Sequence, residues 1–112
     1  MIIHTLVFSF DPAMTGQDRD QFFDEMHHVV EESGLAKGFE HRNHVPFPPM
    51  DEHAPVFAAS ALAQIALPDI DAVGTLGSAK PLQDLIGRWQ ARFPYKVVWV
   101  NTEPLPYDAI AS

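Results

Sequence analysis

The sequence predicts an α+β fold: a four-stranded antiparallel sheet covered by helices, in the order strand, helix, strand, strand, helices, strand. Three features point there. The first is a segment from Ile2 to Phe10 that alternates β-branched and aromatic residues. The second is a pair of amphipathic stretches, one around Phe22 to Val30 and one after Pro81, with apolar residues at helical spacing. The third is apolar character on both faces of three of the strands, which a single layer of helices cannot cover.

At 112 residues the chain is expected to form one domain. Hydrophobic residues make up 46% and aromatics 11%, enough for a core and unlike a disordered chain. Seven basic residues against fifteen acidic ones leave a net charge of −8. Such a surface repels phosphate backbones and anionic lipids, so nucleic-acid and membrane partners are not expected. The chain has no cysteine, which removes disulfides, thiolate catalysis and cysteine-bound zinc. The apolar start, Met1 to Phe10, has no basic flank and is far shorter than the roughly 20 residues of a membrane span. A soluble, cytoplasmic protein is the expectation.

Taken in order, the strand from Ile2 to Phe10 sets His4, Leu6, Phe8 and Phe10 on one face and Ile3, Thr5, Val7 and Ser9 on the other, and Asp11-Pro12 ends it. Thr15 fits a helix N-cap, with Asp18 three residues on as a weak capping box. Phe22, Phe23, Met26, Val29 and Val30 form the apolar stripe of that helix. His27 lies at its flank and His28 nearly opposite. Gly34 marks the stop, with Leu35 beyond it. Gly38 to Val45 reads as the second strand, Pro46 to Pro55 as a proline-rich loop and Val56 to Leu67 as the third strand. Asp69 caps a short helix, and Gly74, Gly77 and Ser78 interrupt the helical region. Pro81 opens a last helix with Leu82, Leu85, Ile86, Trp89 and Phe93 on one side. Pro94 ends it, and Lys96 to Thr102 is the fourth strand. Residues 1–103 thus form the domain and 104–112 a proline-punctuated C-terminal extension.

This order is the split βαβ, or ferredoxin-like, βαββαβ pattern. Its open sheet face needs a cover, and the economical one is the same sheet of a second copy, giving a homodimer whose two sheets make a shared barrel. The residues Ile3 to Phe10, the pair Phe22-Phe23, Pro81 before the last helix and the run Phe93 to Asn101 resemble the stress-responsive dimeric alpha-beta-barrel (Dabb, or stress-response A/B barrel) family. More distantly they resemble its plant polyketide cyclases of the olivetolic acid cyclase type. The resemblance implies a cofactor-independent dimer with a pocket between sheet and helices, in which the first-strand histidine, here His4, moves a proton and Phe22 and Phe23 form pocket wall. The sequence departs from the cyclase pattern elsewhere. Lys80-Pro81-Leu82-Gln83 puts Gln83 where a second histidine is expected, and the cyclase tyrosines fall on Met26 and near Gly77.

His4 therefore has two readings, a general base facing a pocket or a core histidine satisfied by a neighbour. Gln83 can orient a substrate oxygen but cannot shuttle protons, or it is an ordinary flank residue. Met26, His27, Trp89 and Trp99 complete the expected pocket; both tryptophans read first as core, and either can instead wall a pocket for a planar ligand. His41, His44 and His53 raise a metal site. His41 and His44, three apart on a strand, point to opposite faces, so no metal and no cofactor is expected. The leading expectation is a small-molecule enzyme of cyclase, isomerase or lyase type acting on a carbonyl-bearing, polyketide-like or aromatic substrate. The alternatives are a cofactor-free monooxygenase and a non-catalytic stress-response or ligand-binding dimer.

Overall fold

The computed structural model describes residues 1–52 and 58–106. Strand β1 (Ile2–Ser9) is followed by helix α1 (Gly16–Glu32), strand β2 (Gly38–Asn43) and a one-turn helix α2 (Pro48–Asp51). Strand β3 (Ala61–Leu67), helices α3 (Ile70–Gly77) and α4 (Lys80–Arg92) and strand β4 (Lys96–Thr102) complete it. The strands form one antiparallel sheet in the order β2-β3-β1-β4. This is the expected α+β, ferredoxin-like arrangement.

Local chemistry sets the helix ends. Thr15 and Asp18 form a reciprocal capping box: the Asp18 amide donates to the Thr15 hydroxyl at 3.1 Å, and the Thr15 amide donates to the Asp18 carboxylate at 3.0 Å. The Thr15 amide and the Thr15 hydroxyl, both donating to the Asp18 carboxylate, hold that carboxyl below its usual range. Gly34 adopts φ +71° just past α1, the left-handed stop only glycine takes without strain. Asp69 caps α3 by accepting from the Ala72 amide at 2.9 Å, and Pro81 sits in the first turn of α4.

The structure differs from expectation in the middle of the chain. The proline-rich loop contains α2, because Pro48 and Pro49 occupy a first turn, where their missing N–H groups cost nothing. Strand β2 stops at Asn43 rather than Val45, and β3 begins at Ala61 rather than Val56. Val56 and His53 fall outside the described residues. Gly74 does not interrupt α3 but lies within it, the break coming at Ser78 and Ala79.

The core occupies one sheet face. His4, Leu6 and Phe8 lie opposite Ile65, Ala63 and Ala61 of β3 and opposite Asn101, Trp99 and Val97 of β4. The alanines leave room for rings, and Phe8 packs edge-on against Phe22 and Phe23 of α1, both at 5.6 Å between centroids. Phe22 in turn meets Trp89 of α4 at 5.6 Å. Phe22 is fully buried, so Phe22→Ala is expected to cost about 3–5 kcal/mol. Chemical denaturation with an unchanged m-value checks this; a loss below about 1 kcal/mol would mean that the aromatic cluster is not the centre of the core.

The other face carries Ile3, Thr5 and Val7 of β1, Leu62, Gln64 and Ala66 of β3, and Val98, Val100 and Thr102 of β4. Val98, Val100 and Leu62 stand 69%, 53% and 39% exposed. The expected two-sided apolar character is present, with one side open in the single chain. Among the described residues, no helix is long and apolar enough to cross a membrane.

Candidate functional site

Between the sheet and the helices lies an apolar cavity of about 250 Å³. Its floor is His4, Leu6 and Phe8 of β1, Ile65 and Leu67 of β3, and Tyr95, Val97 and Trp99 at and along β4. Its roof is Met26 of α1, Val73, Leu76 and Gly77 of α3, and Leu82 and Ile86 of α4. The alternation of strand side chains puts His4 on this face, and the antiparallel register puts Asn101 directly beside it.

His4 Nδ1 lies 2.6 Å from the Asn101 side-chain oxygen. An amide oxygen only accepts, so Nδ1 donates to it, and in the neutral ring Nε2 is the nitrogen left with a lone pair. The imidazole is half-buried, with the Trp99 indole 5.4 Å away and tilted by 44°. An imidazole in this tautomer is chemically a proton acceptor. Among the described lining residues, only Tyr95 and Trp99 besides His4 carry a side-chain nitrogen or oxygen. Burial raises the Tyr95 phenol above its ordinary pKa, the Gln90 amide partly opposing this, so the group is neutral near pH 7. Gln90 also pins the Tyr95 backbone, accepting from its N–H at 3.1 Å and donating to its carbonyl at 3.0 Å.

Of the residues singled out from sequence, His4, Met26 and Trp99 meet at this cavity. Phe22, Phe23 and Trp89 lie behind it in the packed core, each no more than 4% exposed. His27 is on the outer flank of α1, stacked on Phe39 at 5.2 Å and 3.6 Å from Glu31. Gln83 is exposed, and its amide donates to the Gly77 carbonyl at 2.5 Å, tying α4 to α3 outside the cavity. Trp99 is not a core residue: it is 60% exposed at the cavity wall. His41 stacks on Phe23 at 4.2 Å, while His44 bonds Asp51 at 3.0 Å and holds that carboxyl below its usual range. Among the described residues, no three His, Cys, Asp or Glu side chains converge as a metal site.

Sequence reasoning missed Asn101 and Tyr95. A polar residue closing the run Val97-Val98-Trp99-Val100 was the available signal for Asn101, but only the β1–β4 register shows that it faces His4.

No family model and no curated protein matches the chain. Solved structures share its fold. A Dabb-family protein with a ferredoxin-like fold from Mesorhizobium loti superposes with TM-score 0.71 at 14% identity, over 93% of this chain and 96% of that one. A hydroxynitrile lyase from Passiflora edulis gives 0.69 at 13% identity, over 94% and 97%. A dimeric ferredoxin-like protein from Thermobifida fusca gives 0.66 at 11% identity, over 92% and 90%. At these identities the likeness is one of fold, here that of ferredoxin-like and Dabb-family proteins.

Proposed function

We propose that the protein is a cofactor-independent enzyme of isomerase, lyase or cyclase type, in which His4 moves a proton on a small carbonyl-bearing substrate held in the sheet–helix cavity. The observation that carries this is the His4–Asn101 pair. The two side chains meet at 2.6 Å, on the wall of a cavity that is otherwise almost wholly apolar, and the bond favours the neutral tautomer with its hydrogen on Nδ1. Nε2 takes the proton from the carbon next to the carbonyl, and the C–H electron pair passes to the carbonyl oxygen as an enolate. The imidazolium then returns that proton, to the γ-carbon of the dienolate formed from a β,γ-unsaturated ketone in an isomerisation, or to the departing group as the enolate pair expels it from the β-carbon in a cleavage. Apolar walls keep water from intercepting the enolate.

Size narrows the substrate. At about 250 Å³ the cavity exceeds the roughly 150 Å³ that holds benzene and falls short of the roughly 300 Å³ where drug-sized pockets begin. One ring with a short chain fits; an extended polyketide of the kind taken by olivetolic acid cyclase-type enzymes does not. Isomerase or lyase chemistry is thereby favoured over ring closure, and the fold's occurrence in a hydroxynitrile lyase shows that this scaffold hosts lyase chemistry elsewhere. Met26 and Trp99 wall the cavity, and Phe22, Phe23 and Trp89 support it from behind. The exposed position of Gln83 gives it a structural part between α3 and α4.

The active unit we infer is a homodimer through the open sheet face. Pro104 and Leu105, which follow β4, border a groove of about 410 Å³ on that face together with Ile3, Leu62 and Val100. A second reading, a ligand-binding dimer without turnover, draws support from His4 being the single histidine among the described residues at the cavity. A thermal-shift screen of neutral ring ketones and β-dicarbonyl compounds tests both. A bound compound should raise the melting temperature of wild type more than that of His4→Ala, by an amount that grows with concentration. Equal stabilisation of the two would remove His4 from the site. Binding without conversion of any bound compound would favour the second reading.

A further inference from the structure

We infer that the cavity selects neutral, planar aromatic ligands, with Trp99 as the residue that sets this preference by stacking on the ligand ring while its carbonyl faces His4. The inference rests on the reading of the cavity as a ligand site and goes further in naming the ligand class and its selector.

Three observations carry it. Trp99 is 60% exposed although it lines the cavity. A bare indole is an unfavourable surface for a strand to present, since its apolar area gains by leaving water. The proposed dimer does not cover it, because Trp99 shares a face with His4 and Leu6, whereas Val98 and Val100 point to the opposite, open face. An aromatic side chain left bare beside the one ring nitrogen able to accept a proton is matched to a flat partner. Second, among the described residues the lining contains no lysine, arginine or carboxylate, so it holds no permanent charge to pair with an ionised ligand, and burying an unpaired charge is costly. Third, the volume of about 250 Å³ admits one ring with a short substituent. The 5.4 Å between the Trp99 and His4 rings lets a ligand touch the indole face and still reach His4 with an oxygen.

The test uses a matched pair, acetophenone and cyclohexyl methyl ketone, which share the acetyl group and differ in whether the ring is flat, with benzoate as the anionic probe. Affinities are read by NMR titration of wild type, Trp99→Leu, Trp99→Phe and His4→Ala. Wild type should bind acetophenone about three- to tenfold more tightly than cyclohexyl methyl ketone, and benzoate most weakly. Trp99→Leu should erase the aromatic preference while leaving cyclohexyl methyl ketone unchanged, and Trp99→Phe should restore most of it. Benzoate binding as tightly as acetophenone would overturn the charge argument. Equal weakening of both ketones in Trp99→Leu, or no change in either, would overturn the role of Trp99. If both ketones bind and His4→Ala weakens them, the cavity reading stands even where Trp99 fails; if neither binds wild type, both fall together.

Discussion

His4→Ala is expected to lower turnover by about 10²- to 10⁴-fold while the protein stays folded and its oligomeric state is unchanged. The geometry separates this from a structural role. A core histidine would be packed on all sides, and its truncation would leave an unpaired neighbour and a void, costing about 1–3 kcal/mol. His4 is half-buried, faces an existing cavity, and its imidazole bonds Asn101, itself only partly covered. Removing the ring enlarges a space already open, and the freed amide can take up water. The stability change should therefore be small beside the rate change. Asn101→Leu supplies the companion result: it keeps the imidazole but frees its tautomer and orientation, so turnover should fall by less than in His4→Ala. Steady-state kinetics on a compound from the ligand screen, with denaturation curves for each variant, decides. Full activity in His4→Ala would end the proton-transfer reading. A large stability loss in it with no effect on any bound ligand would make His4 a core residue.

What could be read from the sequence, and what could not, divides along the range of the interactions. The Thr15–Asp18 capping box, the Gly34 stop, the Asp69 cap and Pro81 in the first turn of α4 all depend on residues within a few positions of one another, and all appear where their chemistry demands. Strand β4 is likewise marked by its own β-branched run between Pro94 and Glu103. The start of β3 was less legible because alanine and serine carry no strand signal, so only pairing with β1 shows that the ladder begins at Ala61. The site behaves the same way. His4 was visible as an ionisable group in an apolar strand, but Asn101 lies 97 residues away and becomes its partner only through register. Gln83 shows the limit of a helical wheel: it places a residue relative to its own stripe, not relative to what that stripe faces. The α4 stripe meets the core and the cavity, and Gln83 instead reaches to Gly77. Trp99, an aromatic in an apolar strand, reads as core by composition alone. It is exposed because β4 is an edge strand.

The second large effect is expected on the open sheet face, where Val98→Asp or Val100→Asp should convert a dimer into a 12.5 kDa monomer at micromolar concentration. The centre of that face is uncharged: valines, Leu62 and Ile3 surround Thr5 and Gln64, and the Gln64 amide donates to the Thr5 hydroxyl at 3.2 Å, a bond that is kept when the face is covered. The charged pair on the same side, Glu40 and Arg42, sits on the edge strand β2, 3.1 Å apart, where a polar rim belongs. A two-fold interface meets every substitution twice. Burying one unpaired carboxylate costs several kcal/mol, and two approach or exceed the roughly 8 kcal/mol that holds a micromolar dimer together. Val98→Leu, which keeps the face apolar, should leave the dimer intact. Trp99→Leu should do the same, because its side chain lies on the other face. Sedimentation velocity across a concentration series reads the wild type and the four variants. A wild type that stays monomeric at tens of micromolar would sink the dimer outright. A dimer that survives Val100→Asp but dissociates in Trp99→Leu would move the interface to the cavity side, and with it the explanation for the bare indole.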